Sequence, residues 1–373
     1  MATLMSDSFH VKVGARVLVL FRTRAEPGSL GVHCQMQRPL FIVFFMSIWV
    51  LAATVSGCIH SSDPDASSQA KPDAVTVDPT EPIAVTTTVG MVAELVRSVG
   101  GDRVEVTQIM GAGVDPHLYK ATRDDVLAMM NADVIFYSGL MLEGKMTDTL
   151  VKMARGKPVV GITEVLDETS LLEPAGLAGH YDPHVWMDVL AWSKCVDVIA
   201  DQLSVIDPPS ESGYRARAEM LREELATLDE YGKRVIATIP ADSRILVTSH
   251  DAFNYFGRAY GLEVMGVQGI STESEAGLQR INELVDLLVE KKVKSVFVES
   301  SVPRKNIDSL VEGTRSRGHE ISVGDQELYS DAMGKPGTYE GTYIGMLDHN
   351  LTVVARGLGG EAPEHGFQGK LNQ

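Results

Sequence analysis

Regular alternation of strand and helix constrains this chain more than any other feature. From Ile83 onward the β-branched runs IAVTTTV, RVEVTQIM, DVIFYSG and PVVGIT are each followed by a helical pattern. That alternation signals an α/β lobe with a largely parallel sheet. It starts again after residue 240 with RILVTSH, LEVMGVQ, SVFVESS and EISVGD. The fold class is therefore α/β, with two (β/α) lobes at 83–209 and 240–357.

Between the lobes, at 210–239, Tyr214, Ala218, Leu221, Leu225, Leu228, Val235 and Ile239 follow a three-four spacing, with Gly232 in the one gap. This predicts a single amphipathic helix of roughly 40 Å at 1.5 Å per residue. The stripe is short and its flanks lack a clear charge pattern, so a strut joining two lobes fits better than a dimer seam. A monomer is expected. After Leu358 the sequence GGEAPEHGFQGKLNQ reads as a disordered tail, 358–373.

The N-terminal part carries an address. MQRPLFIVFFMSIWVLAATVSGC, from Met36 to Cys58, has one arginine, a long apolar run and small residues before a cysteine. That is a bacterial secretory signal at 36–57, and its VSGC end is similar to a lipobox, with Cys58 as the lipid attachment point. An uncleaved anchor is the alternative, since the run is about long enough to span a bilayer. Either way most of the protein faces outward, tethered to a membrane; the lipobox reading makes it lipid-anchored on the outer face of a bacterial membrane, in the periplasm or at the cell surface. Residues 58–82, polar and proline-rich, read as a flexible tether. Residues 1–35 suit no targeting role and read as a non-native upstream extension, with translation beginning at Met36.

A net charge of −17 with no basic stripe argues against a nucleic-acid partner. Lipidation of Cys58 leaves Cys195 as the one thiol after cleavage, which excludes an intrachain disulfide or a cysteine-rich zinc site.

Ligands of open α/β sheets bind beyond the carboxyl ends of the strands. Four metal-capable side chains occupy such positions: His117 and His184 in the first lobe, His250 and Asp331 in the second. Asp-Pro precedes both His117 and His184, a turn that aims each imidazole. His180 lies four residues before His184, but Pro183 rules out a shared helix face for the pair. Asp115, Asp182, Ser249 and Glu299 are candidates to hold the imidazole tautomers.

The segments VDPHLYKAT, YDPHVWMDV, TSHDAFNYFGRAYGLEVMGVQGISTESEA, VFVESSVPRKNI and LYSDAMGKPGTYEGTYIGMLDHN, in that order, resemble the metal-binding lipoproteins of zinc/manganese ABC importers, the TroA-like group. The likeness runs from about residue 83 to 356. It implies a metal between two lobes joined by one backbone helix, with His117, His184, His250 and Asp331 as its ligands. His184 is then the ligand and His180 at best an accessory.

The same resemblance implies an ABC permease as partner and one divalent cation as cargo: Zn2+ or Mn2+, with Fe2+ admitted. Zinc-specific relatives often carry a long histidine-rich loop before the second ligand; here DETSLLEPAGLAGHYDPH has one extra histidine. Manganese-selective relatives often have glutamate where this chain has His250.

Two other readings compete. A metal-dependent hydrolase would need an open coordination position and a nearby base. Ser249, His250 and Asp251 cannot form a triad, because strand neighbours point to opposite faces. A lipid-anchored surface adhesin is the second. Delivery of metal to a permease is preferred, with small lobe movements because the strut offers few hinges.

Overall fold

The computed structural model describes residue 78 and residues 80–174 and 179–371. The upstream segment, the signal, Cys58 and all but the end of the tether lie outside the described residues. No described helix is long and apolar enough to cross a membrane.

The first lobe runs β1 Ile83–Thr87, α1 Gly90–Gly100, β2 Val104–Gln108, α2 Arg123–Asn131 and β3 Val134–Tyr137. It continues with α3 Thr147–Met153, β4 Val159–Gly161, α4 Val189–Ser193 and α5 Cys195–Ile206. Its four strands form one parallel sheet in the order β2-β1-β3-β4. Each strand falls where a β-branched run stands in the sequence.

After α6, Glu211–Ile236, come β5 Ile245–His250, α7 Asn254–Tyr260, β6 Glu263–Gln268 and α8 Leu278–Glu290. The second lobe closes with β7 Ser295–Val296, α9 Lys305–Ser316, β8 Ser322–Val323 and α10 Tyr343–Gly357. Here the strands form two parallel pairs, β5 with β6 and β7 with β8. The Phe297 N–H donates to the Val247 carbonyl at 2.9 Å and joins them. All strand pairings in both lobes are parallel, so the carboxyl ends of the strands share one edge in each lobe.

Helix α6 touches elements of both lobes, α1, α4 and α5 on one side and α7 and α10 on the other. Tyr214, Ala218, Leu225, Leu228 and Val235 are buried along it, as the three-four stripe requires. Gly232 is needed for closeness: a Cβ there would come within 2.8 Å of the Tyr260 ring and 3.0 Å of Leu351. From α6, Arg217 also donates to the Val99 and Gly100 carbonyls at 2.7 and 2.9 Å, satisfying the end of α1.

Two expectations need correction. The linking helix stops at Ile236, short of Ile239. Pro240 follows, and Arg244 donates to the freed carbonyls of Ala237 and Ile239 at 3.0 and 3.1 Å, so the chain turns there. The segment after Leu358 is packed, not disordered. Phe367 and Leu371 are 4% and 3% exposed, and the Phe367 N–H donates to the buried Asp348 carboxylate at 2.8 Å. Arg356 holds the Pro363 carbonyl at 2.7 Å. Two apolar side chains and one buried acceptor order a segment whose composition alone reads as polar and loose.

Candidate metal centre

His250 ends a strand, and the other three side chains singled out above stand in loops that follow strands. Strand β2 is followed by the turn Asp115-Pro116-His117, in which Asp115 Oδ1 accepts the His117 backbone N–H at 2.9 Å. The same turn recurs at Asp182-Pro183-His184, where Asp182 Oδ1 accepts the His184 N–H at 3.0 Å. Short-range capture of an N–H two residues on is what aspartate does best in turns.

His250 is the last residue of β5. Gly266 in β6 makes room for it, since a Cβ there would meet the Asp251 nitrogen at 2.4 Å and the His250 carbonyl carbon at 2.5 Å. Asp331 follows a loop that both lobes grip. Asn350 on α10 accepts from the Tyr329 N–H and donates to its carbonyl, at 2.9 and 2.7 Å. From the first lobe, Trp186 Nε1 donates to the Ser330 carbonyl at 2.9 Å.

These placements bring all four side chains together, with the donor atoms within 4.8 Å of one another. His117 Nε2 lies 3.2 Å from His184 Nε2. Asp331 Oδ1 is 3.3 Å from His184 Nε2, and Asp331 Oδ2 is 3.3 Å from His250 Nε2. A tetrahedral shell with zinc–nitrogen bonds of about 2.0–2.1 Å has edges of about 3.3–3.4 Å. The four donors can therefore hold one metal ion. Among the described residues, buried His250 Nε2 and Asp331 Oδ1 have no hydrogen-bond partner, which marks them as facing a place for a cation.

Behind the donors stand carboxylates. Asp182 Oδ1 meets His184 Nδ1 at 2.7 Å, and its other oxygen accepts from Asn254 Nδ2 at 3.1 Å. Glu299 Oε2 meets His250 Nδ1 at 2.5 Å, while Oε1 accepts the His250 N–H at 2.8 Å. An Nδ1–H given to a carboxylate leaves the Nε2 lone pair for the metal.

Two of the other expected partners behave differently. Asp115 holds the His117 backbone but not its ring, and its second oxygen accepts from Thr272 Oγ1 at 2.5 Å. Ser249 Oγ is buried without a hydrogen-bond partner among the described residues, so it holds no imidazole there. His180 is exposed at the cleft mouth, where it borders with His117 a cavity of about 580 Å3. A second cavity, of about 610 Å3, reaches Asp331 from the side of Arg97 and Gln108.

Electrostatics separates the histidines. At His117 burial dominates and depresses the imidazole pKa to about 4, with Asp331 opposing. Burial also opposes the charged form of His184, but Asp182 and Asp331 outweigh it and lift the pKa to about 9. His250 lies well above the usual value, because Glu299 and Asp331 overcome its burial. Burial would raise Asp331, yet His250, His184 and His117 hold its carboxyl well below the usual range.

Sequence reasoning missed Thr272, Asn254, Asn350 and the grip of Trp186 on Ser330. Each is an ordinary residue for a loop or helix, and only folding brings it beside its partner. Trp186 also stands edge-on to His184, with ring centroids 5.2 Å apart.

A two-lobed parallel α/β fold with a buried cluster of three histidines and one carboxylate between its lobes defines a cleft-type metal-binding protein. Residues 85–357 match the ZnuA family, described as zinc-uptake complex component A, periplasmic. The chain belongs to that family. It is 48% identical over 276 residues to the manganese-binding lipoprotein MntA of Bacillus subtilis, covering 74% of this chain and 90% of that protein. To the zinc-binding protein TroA of Treponema pallidum it is 42% identical over 274 residues, 74% of this chain and 88% of that one. The solved structure of that periplasmic zinc-binding TroA superposes with a TM-score of 0.72, covering 74% of this chain and 99% of that one.

Proposed function

We propose that His117, His184, His250 and Asp331 capture one divalent transition metal, zinc or manganese, outside the cytoplasm, and that the protein hands it to an ABC permease. The observation that carries this reading is the convergence of four buried donors within 4.8 Å of one another, three of the contacts between them at 3.2–3.3 Å and two of their atoms without a hydrogen-bond partner among the described residues. Relatives named as manganese-binding and zinc-binding support both cargoes.

Geometry admits both as well. The three separations of 3.2–3.3 Å match the edge length of a tetrahedral zinc shell. Asp331 turns one oxygen toward His184 and the other toward His250, so a two-oxygen grip giving five donors, which suits manganese or ferrous iron, is within reach. Because the Irving–Williams order favours zinc at nitrogen-rich sites, affinity alone does not identify the physiological cargo.

Four protein donors close a tetrahedral shell and leave no position for a reacting water, which suits carriage better than hydrolysis. The lipid on Cys58 keeps a monomeric carrier near the membrane and its permease. Metal analysis of protein from its native host, followed by zinc–manganese competition, tests the cargo. His250→Ala tests the site: zinc and manganese affinities both equal to those of the unsubstituted protein would refute the assignment.

A further inference from the structure

The four donors are not held equally. His184 is fixed at its backbone N–H and its Nδ1 by Asp182, which is itself tied to the second lobe by Asn254. His250 is fixed at both points by Glu299. Asp331 sits on the loop clamped by Asn350 and Trp186. His117 has its backbone N–H held by Asp115, and among the described residues no side chain holds its Nδ1. At 3% it is also the most exposed of the four, and it borders the cavity at the cleft mouth.

What ties the His117 turn across the cleft is the other oxygen of Asp115, which accepts from Thr272 Oγ1 at 2.5 Å. Thr272 is 9% exposed and belongs to the loop between β6 and α8 of the opposite lobe. Next to it Glu273 accepts from Lys145 at 2.9 Å, an exposed pair that adds little on its own. One carboxylate thus does two things: it shapes the turn that aims His117 and it takes a part-buried hydrogen bond from the opposite lobe.

Resting on the metal-capture reading, we propose that Thr272 is a positioning residue that seats His117 in the metal shell, and that breaking the Thr272–Asp115 bond is the step that frees the metal. His117 Nε2 then leaves the ion and a water takes its position. His184, His250 and Asp331 stay assembled, ready for the next ion, because their supports do not depend on that bond. A permease would need to pull on only one short loop, 269–277, to lower the site from four protein donors to three.

The test uses the full chain loaded with zinc, transferred into an excess of a chromophoric chelator. Thr272→Val removes the hydroxyl and keeps the shape; it should speed zinc loss about ten- to a hundredfold, the range for removing a support of a metal ligand. Thr272→Ser should restore the slow rate. The thermal midpoint of the metal-free protein should be the same for all three. Because Thr272 acts through His117, adding Thr272→Val to His117→Ala should not lower zinc affinity further. An unchanged rate in Thr272→Val, a serine variant as fast as the valine one, or full additivity with His117→Ala would each overturn the proposal. If His250→Ala meanwhile abolishes tight binding, the capture site survives and only the role of Thr272 falls. If His250→Ala binds normally, the site itself falls.

Discussion

Glu299 grips His250 at two points at once, its backbone N–H at 2.8 Å and its ring Nδ1 at 2.5 Å, from a position 49 residues away in the chain. The pairing sets the tautomer as well as the orientation. Glu299→Gln keeps the shape and a backbone acceptor but turns an amide NH2 toward Nδ1. The imidazole would then carry its proton on Nε2, pointing a hydrogen where the metal should be. Zinc affinity should fall about 10–100-fold. A competition titration against a chelator of known affinity measures it, and equal affinity in the two proteins would show that Glu299 does not set the tautomer.

Metal capture should be a proton exchange. In the metal-free protein His184 titrates at about 9 and His250 lies well above the ordinary 6.5, so both carry protons at neutral pH. His117, at about 4, is neutral there and has no extra proton to lose. A divalent ion therefore displaces about two protons at pH 7. The sign for stability follows. Since the pKa of His184 is raised on folding, its contribution to the metal-free fold is complete below 6.5 and is lost as pH rises through about 9. The loaded protein gains over the same window, because the lone pairs become free. The gap in thermal midpoint between loaded and metal-free protein should widen from pH 6.5 to about 9. Calorimetry in two buffers of different ionisation enthalpy counts the protons directly, and a count near zero would contradict the charged state of both rings.

How much of this centre is legible in the chain depends on the distance over which each feature is encoded. The end of β5 is readable because a β-branched run stops at His250, and the two Asp-Pro-His turns are readable as turns in the loops that follow β2 and β4. Asp115 and Asp182 are readable because a turn aspartate acts two residues on. Glu299 could be nominated by type, but nothing local ties it to His250. Thr272 and Asp115 are 157 residues apart, and no periodicity links a loop threonine to an aspartate in another lobe. The ordered end of the chain escaped for a related reason. Its order depends on Asp348 in α10, which a window over the tail does not include.

That dependence is measurable. Phe367 packs against Tyr231 of α6, with ring centroids 5.4 Å apart, and its backbone is held by Asp348. Phe367→Ala should destabilise the protein by about 3 kcal/mol through lost burial and an unfilled cavity. Zinc affinity should stay within about twofold, since neither Asp348 nor Phe367 touches the metal donors. Urea unfolding checks the first statement. A stability loss below about 0.5 kcal/mol, the range of surface substitutions, would mean the tail is not packed as described.

Gly266 offers the converse case, in which a stability change and a binding change should arrive together. An added Cβ at this position meets backbone, the Asp251 nitrogen at 2.4 Å and the His250 carbonyl carbon at 2.5 Å, and backbone cannot rotate out of the way as a side-chain tip can. Room can be made only by shifting β6 or the end of β5. Either shift breaks the bond from the Gly266 N–H to Asp251 Oδ1, now 2.7 Å, and moves His250 relative to Glu299. Gly266→Ala should therefore cost about 1–3 kcal/mol in unfolding free energy, the usual range for overpacking. It should also weaken zinc by tenfold or more, because the Glu299–His250 geometry behind one donor is lost. Measuring both on one preparation separates the possibilities: a destabilised protein with normal affinity would mean that the end of β5 is free to move without disturbing His250, contrary to the close fit between β5 and β6.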